Sequence, residues 1–407
     1  VTAATAITGM GVVAPTGLGA APHWDAVTAG RSAIGPVRRF DAGGYRSSLA
    51  GEVPGFNAAE HLPSRLLPQT DHMTRLALVA AEQALSDAGI DPAGLPEYAA
   101  GVVTASSAGG FEFGHRELEK LWSRGPKHVS AYQSFAWFYA VNTGQISIRH
   151  GLRGPGGVLV TEQAGGLDVL AVCGRRIRAG TPVMIGGGVD GILCPWGWVG
   201  LQSTGLLSTD DDPARAYRPF AAEATGYVPG EGGALFVLED PAAAGRRGAR
   251  VHGHVLGYAT TFDPPPGSHR PSNVARAVRL ALDDAGLDPA DVDVVFADAA
   301  GSVRLDADEA AALRTVFGPS GVPVTAPKSM TGRLAAGGAA LDVATALLSL
   351  RHGVIPPTVH VNAPAPEYSI DLATEARTGP LSTALVLARG HGGFNSALVL
   401  GGPGRTR

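Results

Sequence analysis

Only two of the 407 residues are cysteine, Cys173 and Cys194. Two are too few for a disulfide framework and point to a reducing cytoplasm. Lysine is almost as scarce, at Lys120, Lys127 and Lys328, and the formal net charge is −4. A chain with no basic excess lacks the electrostatic footprint of a nucleic-acid binder. No apolar run approaches the roughly 20 residues that span a bilayer. Val1 to Ala14 holds no basic residue and has no secretion-signal layout. Aromatic residues make up 6 % and charged residues 17 %, against 45 % apolar. That balance suits a well-buried globular protein, and the length exceeds one average domain.

What is present is repetition. Met73 to Ala88 places Leu76, Ala77, Ala80, Ala84 and Ala88 on one helical face and stops at Gly89. The ending Ser86-Asp87-Ala88-Gly89-Ile90-Asp91-Pro92-Ala93 returns nearly half the chain later as Asp283-Asp284-Ala285-Gly286-Leu287-Asp288-Pro289-Ala290. A β-rich segment follows each copy, at Gly101 to Ala105 and at Val292 to Ala297. Gly165-Gly166-Leu167-Asp168-Val169 then resembles Gly338-Ala339-Ala340-Leu341-Asp342-Val343. The order of these matches predicts a tandem duplication of an αβ unit, with halves 1–250 and 251–407. The helices predicted at Ala164 to Ala179 and Ala335 to Leu350 are almost wholly Ala, Gly, Leu and Val. Helices that are apolar all round are buried. The expected fold class is α/β, in a layered α-β-α-β-α arrangement.

The stretch Gly157 to Asp168 reads as a buried strand that turns at Glu162-Gln163 into a small-residue helix. Such a junction suits a reactive side chain, because free N–H groups and the helix dipole converge there. A cysteine in that place would have a stabilised thiolate. This chain has Gln163, whose amide donates and accepts but does not attack.

Several phrases together resemble the thiolase-like ketosynthases along the whole chain. They are Ile7-Thr8-Gly9-Met10-Gly11-Val12-Val13-Ala14-Pro15, Arg218-Pro219-Phe220 to Gly230-Glu231-Gly232-Gly233, Pro327-Lys328-Ser329-Met330-Thr331-Gly332 and Gly392-Gly393-Phe394-Asn395-Ser396. An active family member uses a cysteine and two histidines. By the resemblance the cysteine falls at Gln163. The first histidine, in N-A-H-G, falls at Ala300 within Asp298-Ala299-Ala300-Gly301. The second falls at Arg333, and a gating phenylalanine at His391. The framework residues Asp306, Glu309 and Lys328 remain. Val160 to Asp168, Phe135 to Ala140 and Thr331-Gly332-Arg333 are similar to the chain-length factor, or ketosynthase-β subunit, of type II aromatic polyketide synthases. That resemblance implies a heterodimer with an active ketosynthase-α subunit, a substrate carried on acyl carrier protein, and neither cofactor nor metal.

Condensation needs a thiolate and imidazoles, and Gln163, Ala300 and Arg333 supply neither. Cys173 is no substitute, since it lies about 15 Å along the helix from the turn. Cys194 reads as packing or interface. Two other roles stay open beside tunnel shaping: decarboxylation of malonyl groups at Gln163 to make an acetyl primer, and pure stabilisation of the partner. Arg333 is expected either to bind a carboxylate or to pair internally with Asp306 or Glu309. The resemblance implies that Phe111, Gly114 and Leu118 gate the far end of an acyl tunnel. A Gly and a Leu leave room that bulkier residues would fill, so a relatively long product is expected. Phe113 reads as interface core. Phe135, Trp137 and Phe138 are candidates for partner contact, with core packing as the rival. Arg38, Arg39, Arg124 and Lys127 could meet an acidic carrier protein, but isolated surface cations are usually just solvated.

Overall fold

Ten strands carry the fold, in a computed structural model that describes residues 4–265 and 267–405. In the first half, β1 (Thr5–Ala14), β2 (Ala100–Ala105), β3 (Gly156–Leu159), β4 (Val183–Asp190) and β5 (Gly232–Glu239) lie in the order β1-β5-β4-β2-β3. In the second, β6 (Gly253–Phe262), β7 (Val294–Phe296), β8 (Pro323–Thr325), β9 (Thr383–Gly390) and β10 (Phe394–Gly401) lie in the order β6-β10-β9-β7-β8. The two orders are the same one. Strand senses also correspond: the first three strands of each sheet are antiparallel neighbours and the rest are parallel. The repeat seen in the sequence is thus a repeat of topology. The sheets join edge to edge where Thr5–Ile7 of β1 meet Gly253–Val255 of β6.

Seven helices matter for the site: α1 (His72–Ala88), α2 (Phe111–Arg124), α3 (Gly165–Arg178), α4 (Pro195–Ser203), α5 (Val274–Ala285), α6 (Val303–Phe317) and α7 (Ala336–His352). α1 covers the outer face of the first sheet and α5 that of the second, while α3 and α7 touch each other and strands of both sheets. This is the thiolase-like five-layered arrangement. Every residue of α7 from Ala336 to Leu350 is buried, and its glycines let backbone meet backbone. A Cβ on Gly337 would stand 1.9 Å from the Gly232 carbonyl oxygen. The recurring Asp-Ala-Gly phrase closes α1 and α5, where Gly89 and Gly286 take φ of 63° and 67°, a left-handed cap that only glycine adopts at no steric cost.

Two expectations need correction. The last turn of α3 is not buried, because Arg175, Arg176 and Arg178 emerge into solvent. β3 is not buried either: Gly156 is exposed and Gly157–Leu159 are half-covered. The reason is position. β3 is the terminal strand of its sheet, and among the described residues no strand pairs with its outer side. The matching edge of the second sheet, β8, is covered in parallel by the two residues Asp371–Leu372. No helix among the described residues is long and apolar enough to cross a membrane.

Candidate functional site

The chain leaves β3 through Thr161 and turns sharply at Glu162, whose φ is 52°. A short 3-10 turn over Glu162–Ala164 then feeds α3. Gln163 is buried, and its amide N–H donates to the Glu162 carboxylate at 3.0 Å. Its amide oxygen faces Gly338 on α7, where a Cβ would lie 3.0 Å away. The second Glu162 oxygen accepts the His391 backbone N–H at 2.7 Å. Around the Gln163 side chain is a cavity of about 10 Å³ bordered by His23, Lys328, Thr331, Arg333 and Asp342, room for about one water.

Ala300 sits on the loop that follows β7, and nearly every backbone group of that loop is held. Lys328 Nζ donates to the carbonyls of Ala297 (2.7 Å) and Asp298 (3.0 Å) and pairs with Asp342 at 2.8 Å. Glu309 accepts the N–H groups of Asp298 and Ala299 at 2.7 and 2.8 Å. Asp306 accepts those of Gly301 and Phe220 at 3.0 and 2.8 Å. The Tyr217 hydroxyl donates to the Ala299 carbonyl at 2.7 Å. The three framework residues α6 and the β8–α7 connection supply are therefore loop holders. Burial pushes the Asp306 carboxyl up to about 7.

Arg333 corrects a third expectation. It pairs with neither Asp306 nor Glu309, because both are committed to backbone N–H groups. Its partner is Asp298, gripped through two nitrogens at 2.9 and 3.1 Å. Arg333 also donates to the Asp298 carbonyl at 2.6 Å and the Arg389 carbonyl at 3.3 Å. Its guanidinium lies 5.5 Å from the centre of the Tyr227 ring. Asp298 in turn accepts the Arg389 N–H at 2.8 Å. Burial opposes ionisation of Asp298, but Arg333 and Lys328 outweigh it and hold the carboxyl below its ordinary range. With four hydrogen bonds committed in this way, the guanidinium serves Asp298 and the neighbouring loops rather than a substrate carboxylate. Asp298 was missed from the sequence. The readable signal was that an Asn-to-Asp change accompanies the His-to-Arg change.

A cleft of about 820 Å³ opens beside this loop. Ala300, Arg333 and His391 border it, with Phe111, Leu201 and Leu206 along an apolar wall. Phe111 stacks on Trp196 of α4 at 4.4 Å between ring centres. Of the three residues expected at a tunnel, only Phe111 lines the cleft. Gly114 is buried one turn on, where a Cβ would touch Trp137 and Trp196 at 3.5 and 3.6 Å. Leu118 is half-buried and off the cleft wall, and Gln163 also lies outside it. Phe113 is buried. Both thiols are buried and pushed up, Cys173 to about 12 and Cys194 to about 11, so neither is a thiolate at neutral pH.

Phe135, Trp137 and Phe138 are on the surface, at 37 %, 41 % and 46 % exposure, rather than in the core. Ten of the fourteen exposed large apolar side chains among the described residues fall between Trp122 and Val199. Arg39 is not a free surface cation. It is drawn into a network with Glu112, His72 and Glu231, while Arg38, Arg124 and Lys127 remain exposed.

The β-ketoacyl synthase N-terminal domain family matches residues 3–244, and the β-ketoacyl synthase C-terminal domain family matches residues 252–362. The chain is 60 % identical to the tetracenomycin polyketide synthase ketoacyl synthase beta subunit of Streptomyces glaucescens, over 97 % of each chain. It is similar to the solved ishigamide ketosynthase/chain length factor, with TM-score 0.88 and 29 % identity over 99 % of this chain and 100 % of that one. A structure of a type II polyketide synthase acyl-carrier protein in complex with its ketosynthase bound to the hexaketide also matches, with TM-score 0.88 and 26 % identity over the same shares. A chain with this duplicated thiolase-like fold thus belongs to the β-ketoacyl synthase family, in its branch of type II polyketide chain-length factors.

Proposed function

We propose that this chain is the non-nucleophilic half of a cytoplasmic ketosynthase heterodimer, and that it shapes the tunnel in which its partner's aromatic polyketide grows. The observation that carries this reading is a bared surface on the half of the molecule that holds the empty nucleophile position. The aromatic residues Phe135, Trp137 and Phe138 stand in solvent, and the β3 edge presents unpaired backbone groups. Patches and edges of this kind mark sites covered by another chain. An active ketosynthase-α subunit is the partner that the likeness to a ketosynthase/chain length factor supports. The likeness to a ketosynthase held by an acyl-carrier protein supports a substrate delivered on such a carrier. The chain divides for this purpose into halves 1–250 and 251–407.

Phe111, Gly114 and Leu118 are the proposed length-setting residues. Gly114 acts through its neighbours: a Cβ there just meets Trp137 and Trp196, so a bulkier side chain has to displace Trp196, on which the cleft-lining Phe111 stacks. Gly114→Phe in the co-purified heterodimer is therefore expected to give a shorter polyketide by mass spectrometry. Unchanged length from an intact heterodimer would remove Gly114 from the tunnel and leave a stabilising role. The priming reading fares worse. It needs the Gln163 amide at a thioester carbonyl, but that amide is bound to Glu162 and turned toward Gly338.

A further inference from the structure

We infer that the Asp298–Arg333 pair is a partition, which keeps carrier-borne acyl thioesters that enter this chain's cleft from reaching residue 163. The inference rests on the reading that condensation belongs to the partner, and it adds how this chain avoids trapping substrate.

The cleft and the small cavity around Gln163 are separate spaces, and Arg333 is the one residue of the described chain that borders both. On the cleft side its neighbours are Asp298, Ala300 and Ala335. On the far side they are Gln163, Lys328 and Thr331. The partition is stiff. Arg333 is tied to the Asp298 side chain and carbonyl, to the Arg389 carbonyl and to the face of Tyr227. Asp298 is tied in turn to the N–H of Arg389 and, through its own N–H, to Glu309. The wall thus spans three cleft-lining segments, after β7, before α7 and at the end of β9.

Such a wall has a purpose only because the cleft survives. About 820 Å³ remains open, within the range of small-molecule sites. His391 and the largely exposed Arg304 stand on its lining. Behind the wall lies Gln163, at the entry to α3, where a thioester would meet no nucleophile. An arm admitted there would be parked unproductively. Removing the cysteine abolishes chemistry; closing the passage abolishes the competition as well.

The test is thiol labelling in the assembled heterodimer. Cysteine is placed at the two sides of the wall, as Gln163→Cys and separately as His391→Cys. N-ethylmaleimide incorporation is read by mass spectrometry on the peptide carrying each position, which separates these thiols from the partner's. Residue 163 is expected to label about 100-fold more slowly than residue 391, because reaction there waits on local opening. The helix N-terminus biases a thiol at 163 toward higher reactivity, so the bias runs against the expected result. Adding Asp298→Asn with Arg333→Ala to Gln163→Cys is expected to recover most of that factor. Labelling of residue 163 within a few-fold of residue 391 behind the intact wall would overturn the inference. So would a rate at 163 that stays low once the pair is removed. If the combined variant fails to assemble, the two single cysteine variants still decide. No product is measured, so failure here leaves the chain-length reading to its own test at Gly114.

Discussion

Arg333 and Asp298 have to be considered as one unit, since each is a buried ion that the other neutralises. Removing one partner of such a pair leaves an uncompensated charge, at a cost of about 3–5 kcal/mol, whereas replacing both with uncharged groups is often close to neutral. Arg333→Met alone is therefore expected to lower denaturant stability by about that amount, and Asp298→Asn added to it to restore most of the loss. Equal losses for the single and double variants would show that packing, not charge, holds the place. Asp306 makes a separate case. Its carboxyl is pushed up to about 7 by burial, above the ordinary value near 4. The folded chain therefore keeps a proton between about pH 4 and 7 that the unfolded chain has released, and the stability this group contributes falls as pH rises through that interval. Asp306→Asn does not titrate. Its stability relative to the parent is expected to rise by on the order of 2 kcal/mol between about pH 5 and pH 8 in denaturant melts. A pH-independent difference would place the titration elsewhere. At this scale the sequence located positions but not partners. Gln163, Ala300 and Arg333 could be named because the surrounding phrases single them out, and the fold sets Ala300 and Arg333 on one cleft and Gln163 in a separate small cavity. The ion pair was not, because Asp298 and Arg333 meet only when the loops after β7 and before α7 come together.

Among the elements, β3 shows why an apolar run misleads. Gly157-Val158-Leu159-Val160 has the composition of a covered strand, but composition does not say which chain supplies the cover. Its backbone does. The carbonyls of Pro155 and Leu159 accept from Val102 and Ser106 of the β2 side, so by strand alternation Gly156 and Val158 turn their N–H and C=O groups outward. Proline is tolerated on an open edge but cannot donate to an added strand. Val158→Pro is thus expected to leave the chain folded by circular dichroism while abolishing co-purification with the partner ketosynthase. Retained co-purification would mean that the partner does not bind by pairing with β3. The other elements were more legible. α1 and α5 announced themselves through periodicity and a glycine stop that their left-handed caps require. α7 announced itself through an apolar surface on all sides. α3 was over-read, because its final turn carries three arginines into solvent.

At the scale of the whole molecule, duplication gave two sheets of one topology but not two equivalent edges. The described chain leaves Tyr132, Phe135, Trp137, Phe138, Tyr139 and Trp196 each more than a third exposed, more apolar surface than a lone protein keeps in water without cost. Expressed alone, the chain is expected to bind a hydrophobic dye and to self-associate by light scattering, and the partner is expected to suppress both. A monodisperse, dye-silent chain would show that the aromatic surface needs no cover. The inequality of the edges also sets how far assembly goes. Growth into a ribbon of stacked sheets requires two reactive ends on every unit, and here the end opposite β3 is the two-residue strand Asp371–Leu372, too short to template a further strand. In the vocabulary of polymer chemistry the molecule is monofunctional: it ends a chain rather than extends one. Sheet pairing through β3 consumes the longer open edge among the described residues, so the expected product is a closed one-to-one pair.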